Sequence, residues 1–387
     1  MDLELWHLIL LPVMFAAGWF CRGLEKRQSD EGDKGVSDAY AGGVQFLLAG
    51  QKDKAVECFV EEARRDPERT DILFLLGRLF CERGEYHRAV RVHSAIVERE
   101  ELPAEERVAA LKALAGNYFL AGLYDRAEEH YKRLADVPSE HLDALRALLS
   151  IYIIEHEWPS AIDTARALES RADEDHANEI AHYFCEMADI ALMKRDVDAA
   201  GEYVGEALSE QPNCARARIA EGLVAAAKGD FKAARAHWLA LAADAPDYTP
   251  LVVGRIADAY KSEGLIEEAV DYLTTAGASA QAAGAVDEVL KRLVDLKGPA
   301  FALSFAEGVL RDHPTVSTYA AFIQLQRKCG DADDMKALTG DMLQRYGRRF
   351  SRHQCRKCGF LASGFAWGCL ECGAWDSLSL NKVDDAF

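Results

Sequence analysis

One spacing constrains this chain more than any other feature. Eight alanines, Ala55, Ala89, Ala127, Ala161, Ala200, Ala234, Ala269 and Ala302, follow one another at intervals of 34, 38, 34, 39, 34, 35 and 33 residues. Self-similarity at such a period marks repeated supersecondary units that cannot bury their apolar faces alone and stack to share a core. Other columns keep the register. Twelve residues before the alanines stand Gly43, Gly77, Ala115, Ala188, Gly222 and Ala257, small enough to let two helices approach closely. Nine before them come Phe46, Phe80, Tyr118, Tyr152 and Tyr260, rings that fill the space beside each contact. Gly50, Gly84, Gly122, Gly229 and Gly264 form a turn column, where a left-handed backbone ends the first helix. Pro67, Pro212, Pro246 and Pro314 close the second helix, because proline cannot continue it.

A helical period of 34 is the tetratricopeptide spacing. The expected fold is therefore mainly α, a tetratricopeptide-repeat superhelix of about eight or nine helix pairs over residues 39–348. Four matching columns argue against an irregular helical bundle, although single repeats are degenerate and Leu149 occupies one small-residue place. The long intervals put insertions near Glu98 to Glu106 and near Glu169 to Asn178, acidic stretches expected to be exposed loops. Past Ala302 the pattern weakens through Gly330 and Met335, one more helix pair suited to capping the array.

Residues Leu5 to Cys21 contain no Asp, Glu, Lys or Arg; as a helix they would span about 25 Å, near the lower limit for crossing a bilayer. Asp2 and Glu4 precede the stretch and Trp19-Phe20 stand where a signal peptide needs small residues, so an uncleaved anchor is expected. Arg22, Lys26 and Arg27 follow it, with no Lys or Arg before it. The positive-inside bias then puts the amino terminus outside and the bulk of the chain on the cytoplasmic side of the membrane. Residues 1–27 read as a transmembrane anchor with its juxtamembrane segment, and 28–38 as a linker.

Stacked helix pairs offer a concave surface that binds peptides or protein segments. Register places Asp143, Arg146, His182, Cys185, Asp189 and Arg216 toward that surface. His182 and Cys185, at i and i+3, share a helix face and in principle suit a metal, but no second pair lies nearby in sequence, so a packed or partner-facing role is expected. The sequence holds no G-x-x-x-x-G-K-[ST] loop, G-x-S-x-G elbow or H-E-x-x-H helix, and abundant carboxylates on repeat helices read as solvated faces. No catalytic residues are assigned, and the chain reads as a non-enzyme. A net charge of −19 argues against sequence-independent binding of nucleic acid.

Six of the ten cysteines, Cys21, Cys58, Cys81, Cys185, Cys214 and Cys329, are scattered singly and read as buried free thiols. The other four form two C-x-x-C pairs, Cys355/Cys358 and Cys369/Cys372, each followed by glycine and separated by ten residues. A C-x-x-C turn aims two thiolates and its own N–H groups at one ion, and the glycine after it permits the positive φ that closes the knuckle. Two knuckles complete an S4 site, for which zinc ranks ahead of iron; the iron alternative would make a rubredoxin-type redox carrier. Residues 349–387 thus form a small rubredoxin-like module whose stability depends on the metal. Phe360, Phe365, Trp367 and Trp375 are candidates for its core or for docking onto the repeats. Arg345, Arg348, Arg349, Arg352, Arg356 and Lys357 cluster around the first knuckle, which keeps a zinc-ribbon RNA binder in view, although cations also offset the net −2 charge of a dication held by four thiolates.

The order of parts, an anchor, tetratricopeptide repeats and a terminal ribbon, resembles the lipopolysaccharide assembly protein B (LapB) family of Gram-negative bacteria. So do the stretches FLLAGQKDKAV (46–56), AGLYDRAE (121–128), EIAHYFCE (179–186) and the QCRKCGF start of the ribbon. The resemblance implies a single-pass inner-membrane adaptor that regulates lipopolysaccharide synthesis by helping the protease FtsH degrade the deacetylase LpxC, alongside other lipopolysaccharide assembly proteins. It implies the metal ligands Cys355, Cys358, Cys369 and Cys372, and leaves a homodimer open. Leu370 stands where the family has a proline after the first cysteine of the second knuckle.

Overall fold

A computed structural model describes residues 37–278, 285–312, 316–329, 339 and 353–379. The proposed anchor, Gly330, Met335, Pro314 and the arginines from Arg345 to Arg352 lie outside the described residues, among which no helix is long and apolar enough to cross a membrane. The chain divides into two compact units, Met1–Ile151 and Tyr152–Phe387.

The first unit holds α1 (Asp38–Leu48), α2 (Lys52–Arg65), α3 (Thr70–Glu82), α4 (Tyr86–Val97), α5 (Ala104–Leu120), α6 (Tyr124–Ala135) and most of α7 (His141–Glu155). The second holds α8 (Trp158–Ala172), α9 (Ala177–Met193), α10 (Val197–Glu210), α11 (Ala215–Ala227), α12 (Phe231–Asp244), α13 (Thr249–Ser262), α14 (Ile266–Ala278), α15 (Val286–Lys297), α16 (Pro299–Asp312) and α17 (Val316–Lys328). Two short antiparallel strands, β1 (His353–Gln354) and β2 (Leu361–Ala362), pair His353 with Ala362 and Gln354 with Leu361 in the terminal module. Seventeen helices stand among the described residues. Helices pair as antiparallel neighbours within each unit, α1 with α2, α3 with α4 and α5 with α6 in the first, and α9 with α10, α11 with α12 and α13 with α14 in the second.

The repeat columns explain the packing. All eight aligned alanines are completely buried, and the residue four positions later is large where the small-residue column holds glycine. A Cβ on Gly43 would meet the Phe59 ring, one on Gly77 the His93 ring, and one on Gly222 the Trp238 indole. Glycine on one helix therefore makes room for an aromatic on the next, and burying a side chain such as Phe59 contributes about 1.5–3 kcal/mol. Trp238 satisfies its indole N–H on the Ile219 carbonyl at 3.0 Å, and buried His93 meets the Asn117 amide at 2.6 Å.

The turn column extends beyond its five glycines. All five have positive φ, and in two of the three repeats without glycine in this column His156 (φ 58°) and Arg195 (φ 62°) occupy the same left-handed position. The next N–H then reaches back to the end of the first helix in each case, as in Gln51 N to Phe46 O (2.9 Å), Glu157 N to Tyr152 O (2.9 Å) and Asp196 N to Ala191 O (2.9 Å). This bond closes a Schellman-type cap. Asp196 and Asp230 then cap the following helices through Ala199 N and Ala233 N, at 3.2 and 2.9 Å.

The exposed loops expected at the two insertions are short, residues 98–103 and 173–176, and do not hold the added length. The insertions are absorbed largely by helix: α5 and α9 each run 17 residues, against 11 for α1 and 13 for α3. Pro103 caps α5 and places Glu105 and Glu106 in its first turn, where carboxylates favour the positive end of the helix dipole.

Candidate metal centre and its seat on the repeats

Each C-x-x-C pair folds into the same turn. Gly359 N donates to Cys355 O and Gly373 N to Cys369 O, both at 2.9 Å; Cys355 N and Cys369 N then donate to Phe360 O and Ala374 O at 2.8 and 2.9 Å. Gly359 and Gly373 sit at φ +79° and +67°, a conformation in which a side chain is strained. Two equivalent knuckles thus face one another. Cys355 and Cys369 are buried, Cys358 and Cys372 exposed, so one edge of the cluster is covered and the other meets solvent.

All four sulfurs lie within 4.8 Å of one another, and the Cys355–Cys372 and Cys358–Cys369 pairs are each 3.7 Å apart. A tetrahedron with metal–sulfur bonds of about 2.3 Å has edges of about 3.8 Å, whereas a disulfide needs about 2.05 Å. The cluster therefore has the dimensions of a cation site. Its proton chemistry agrees. The Ser377 hydroxyl, 3.3 Å from Cys355 Sγ, draws that thiol down to about 6, assisted by the Lys357 and Cys358 N–H groups. Cys358 has the Phe360 N–H to favour its thiolate, yet burial and the crowded sulfurs of Cys355, Cys372 and Cys369 push it up. The Cys355 thiolate forms readily here and Cys358 resists until a cation offsets the charge.

The aromatic candidates divide between two tasks. Phe360 and Phe365 pack on Cys355, Ala362, Cys369 and Leu378 in the ribbon's small core. Trp367 instead joins the repeat core of α11, α12 and α13 and stacks on Tyr248, with centroids 6.0 Å apart. Trp375 lies flat on His182 at 4.7 Å, meets Tyr183 edge-on at 6.0 Å, and faces the Arg216 guanidinium at 5.9 Å. Asp376 completes the seat, with its Oδ2 2.7 Å from His182 Nε2. A carboxylate oxygen accepts, so Nε2 carries the proton of this hydrogen bond. The His182 Nδ1 is buried with no hydrogen-bond partner.

The second knuckle presents these contacts. Trp375 pairs with Gly368 in a β-bridge, and Asp376, at φ +50°, donates its N–H to Trp367 O at 2.8 Å. Trp367, Trp375 and Asp376 therefore flank Cys369 and Cys372, and whatever organises those thiols organises the docking surface.

The residues assigned to the groove have different fates. His182, Cys185 and Arg216 are buried, and Arg216 pairs with Glu186 at 2.9 Å and Asp189 at 2.6 Å. His182, expected to pack or to face a partner, faces the chain's own ribbon. Asp143 and Arg146, in the first unit, are exposed and pair with each other at 3.1 Å. Sequence reasoning missed Asp376, Tyr183 and Tyr248. Asp376 alone carried a signal, as a polar residue beside a tryptophan just past the second knuckle. Of the six scattered thiols, Cys185 and Cys214 are buried, as expected; Cys58, Cys81 and Cys329 are only half-buried, and Cys21 lies outside the described residues.

Residues 185–249 match the tetratricopeptide repeat family model. Among solved structures, a tetratricopeptide repeat protein from Parabacteroides merdae is 14% identical, covers 75% of this chain and 98% of its own, and has a TM-score of 0.28. Lipopolysaccharide assembly protein B of Haemophilus influenzae is 29% identical over 96% of both chains. The protein of that name from Escherichia coli K12 is 31% identical over 96% of this chain and 96% of its own length. With its repeats, its paired cysteine knuckles and relatives matched from end to end, this chain belongs to the lipopolysaccharide assembly protein B family.

Proposed function

We propose that the chain is a non-enzymatic adaptor that regulates lipopolysaccharide synthesis at the bacterial inner membrane by presenting the deacetylase LpxC to the protease FtsH. The name its relatives carry, lipopolysaccharide assembly protein B, supports the first half of this reading. The carrying observation is the seat of the ribbon: Trp375 on His182 and Asp376 on its Nε2 tie the metal module to a protein-binding scaffold rather than to a substrate cavity. In this reading Cys355, Cys358, Cys369 and Cys372 hold one zinc ion, which supplies structural ligation. With all four positions filled by protein, no site is left for substrate. Residues 1–27 anchor the chain with its amino terminus in the periplasm, 28–38 link, 39–348 form the repeats and 349–387 the ribbon. Confinement to the membrane surface raises the effective concentration of the scaffold toward membrane-bound partners.

The experiment is to deplete the protein in its own host and follow LpxC after translation is stopped. The reading expects LpxC to persist longer on depletion, and its turnover to return with the wild-type chain but not with Cys369→Ser. Unchanged LpxC turnover in the depleted cells would sink it.

A further inference from the structure

The first unit leaves a groove of about 540 Å³ between α3 and α5, the first helices of two successive repeats, with His93 of α4 also lining it. Phe74, Leu75 and Arg78 reach the groove from α3, and Gly116, Asn117 and Leu120 reach it from α5 with the same i, i+1, i+4 spacing; residues so spaced share one side of a helix. Gly116 keeps the α5 wall low. A Cβ there meets nothing nearer than the Tyr131 hydroxyl at 3.8 Å, whereas one on Gly77 would strike the His93 ring. Glycine inside a helix costs about 0.8–1.0 kcal/mol against alanine, and at Gly116 no close packing within the chain requires it. The space it leaves belongs to the groove.

Two buried polar side chains in its lining are only half used. His93 and Asn117 are 3% and 4% exposed, and Asn117 Nδ2 donates to His93 Nδ1 at 2.6 Å. An amide nitrogen only donates, so the ring, kept neutral by burial, carries its proton on Nε2. Among the described residues no partner reaches His93 Nε2 or Asn117 Oδ1. The groove thus holds one unused donor and one unused acceptor, and turning the Asn117 amide over exchanges the roles while leaving one of each. Both side chains line the groove, so water or a ligand entering it is what pairs them. The rest of the lining is chiefly apolar, with Leu120 53% exposed. Arg78 stands at the rim with its side chain 71% exposed and its one ion pair, to Glu82, stretched to 3.9 Å.

A chain in extended conformation matches this set. One extended residue directs its own N–H and C=O to the same side, as in the paired positions of an antiparallel ladder, and sends neighbouring side chains to alternate faces. Main-chain bonds of that kind supply affinity and side-chain pockets supply specificity. We infer that this groove binds an extended, apolar peptide segment of a protein partner, with one residue's N–H and C=O on Asn117 and His93, an aliphatic side chain among Phe74, Leu75 and Leu120, and an acidic residue on Arg78. The inference rests on the reading of the chain as a protein-binding scaffold and names where on the repeats a partner docks. It is independent of LpxC: peptide binding is measured on the purified chain, so its failure leaves the turnover experiment standing, and unchanged turnover leaves the groove standing.

The test exposes the purified full chain to an array of acetylated and amidated heptapeptides varied systematically in sequence, and measures the selected peptides by fluorescence anisotropy. Gly116→Leu fills the groove from a position where a Cβ is accommodated, Asn117→Leu removes the amide, and Arg78→Glu reverses the exposed charge; circular dichroism confirms that the helices remain. The selected peptides should share an aliphatic and an acidic residue. N-methylation of one backbone amide should weaken them about tenfold, Gly116→Leu and Asn117→Leu should each do so by about tenfold or more, and Arg78→Glu should penalise only peptides that carry the acidic residue. The proposal is overturned if no peptide binds the wild-type chain better than Gly116→Leu, or if the selected peptides tolerate N-methylation at every position. It also falls if Gly116→Leu abolishes self-association in sedimentation or displaces cis-parinaric acid without touching peptide binding, results that would give the groove to a second copy of the chain or to an acyl chain.

Discussion

Removing the Asp376 carboxylate strikes the ribbon where its attachment is most specific. His182 is completely buried, its Nε2–H is satisfied only by Asp376, and its Nδ1 has no partner. Asp376→Ala therefore leaves both nitrogens of a buried imidazole unpaired. A buried hydrogen bond to a charged group contributes about 1.5–3 kcal/mol, and the orphaned donor adds its desolvation cost. His182→Ala removes the same bond together with the stacking surface beneath Trp375, a ring contact of about 0.5–1.5 kcal/mol. Asp376→Ala should thus weaken seating by about 2 kcal/mol, roughly thirtyfold in the docking equilibrium, and the double-mutant cycle should return a coupling of about 1.5 kcal/mol or more. Fluorotryptophan resonances of Trp367 and Trp375, followed through a shallow urea titration, report the seated and lifted populations separately. A coupling below about 0.5 kcal/mol would mean that the two residues are neighbours without being partners, and would refute the reasoning.

Three further perturbations test the repeats. Gly222→Ala drives a methyl group into the Trp238 indole and should cost about 1–3 kcal/mol of stability in denaturant titration, with Trp238→Leu in the same chain recovering part of it; an unchanged midpoint would discredit the close approach. Arg195→Gly relieves a left-handed backbone at a solvent-facing turn and should raise stability by roughly 0.5–1 kcal/mol after the entropy of glycine is counted; a loss there would show that the side chain matters more than its backbone. Burial draws His93 down to about 4, against an ordinary value of 6.5. Below pH 6.5 the unfolded chain therefore binds a proton that the folded chain refuses, so the stability conferred by neutral His93 is full above pH 6.5 and declines as pH falls toward 4, by at most about 3 kcal/mol. His93→Gln should flatten that part of the stability–pH profile, and an unaltered slope would count against burial of the neutral ring.

Most of the repeat fold was legible because its determinants are local and recur. Aligned alanines, facing glycines and turn glycines each report a backbone demand that a single residue type satisfies. His156 and Arg195 escaped because the left-handed turn there is imposed by the helices on either side rather than chosen by the residue. The insertions were misjudged because Glu105 and Glu106 read as loop composition, although the same carboxylates favour a helix start once Pro103 sets the cap. At the centre, the clustering of the four thiols was legible from spacing alone. Their seat was not, since Asp376 meets His182 across 194 residues of chain and no local pattern encodes so distant a pairing.

The central claim is that the four-thiol centre organises a surface seated on the second unit's repeats. Hydrogen–deuterium exchange of the full chain, with and without a chelator strong enough to strip the ribbon, tests it most directly. The account predicts that protection falls together in residues 353–379 and around His182 on α9 and Cys214 at the start of α11, while α3 to α6 are unaffected. Loss of protection confined to the ribbon would contradict it, because the metal would then hold the module together without holding it in place.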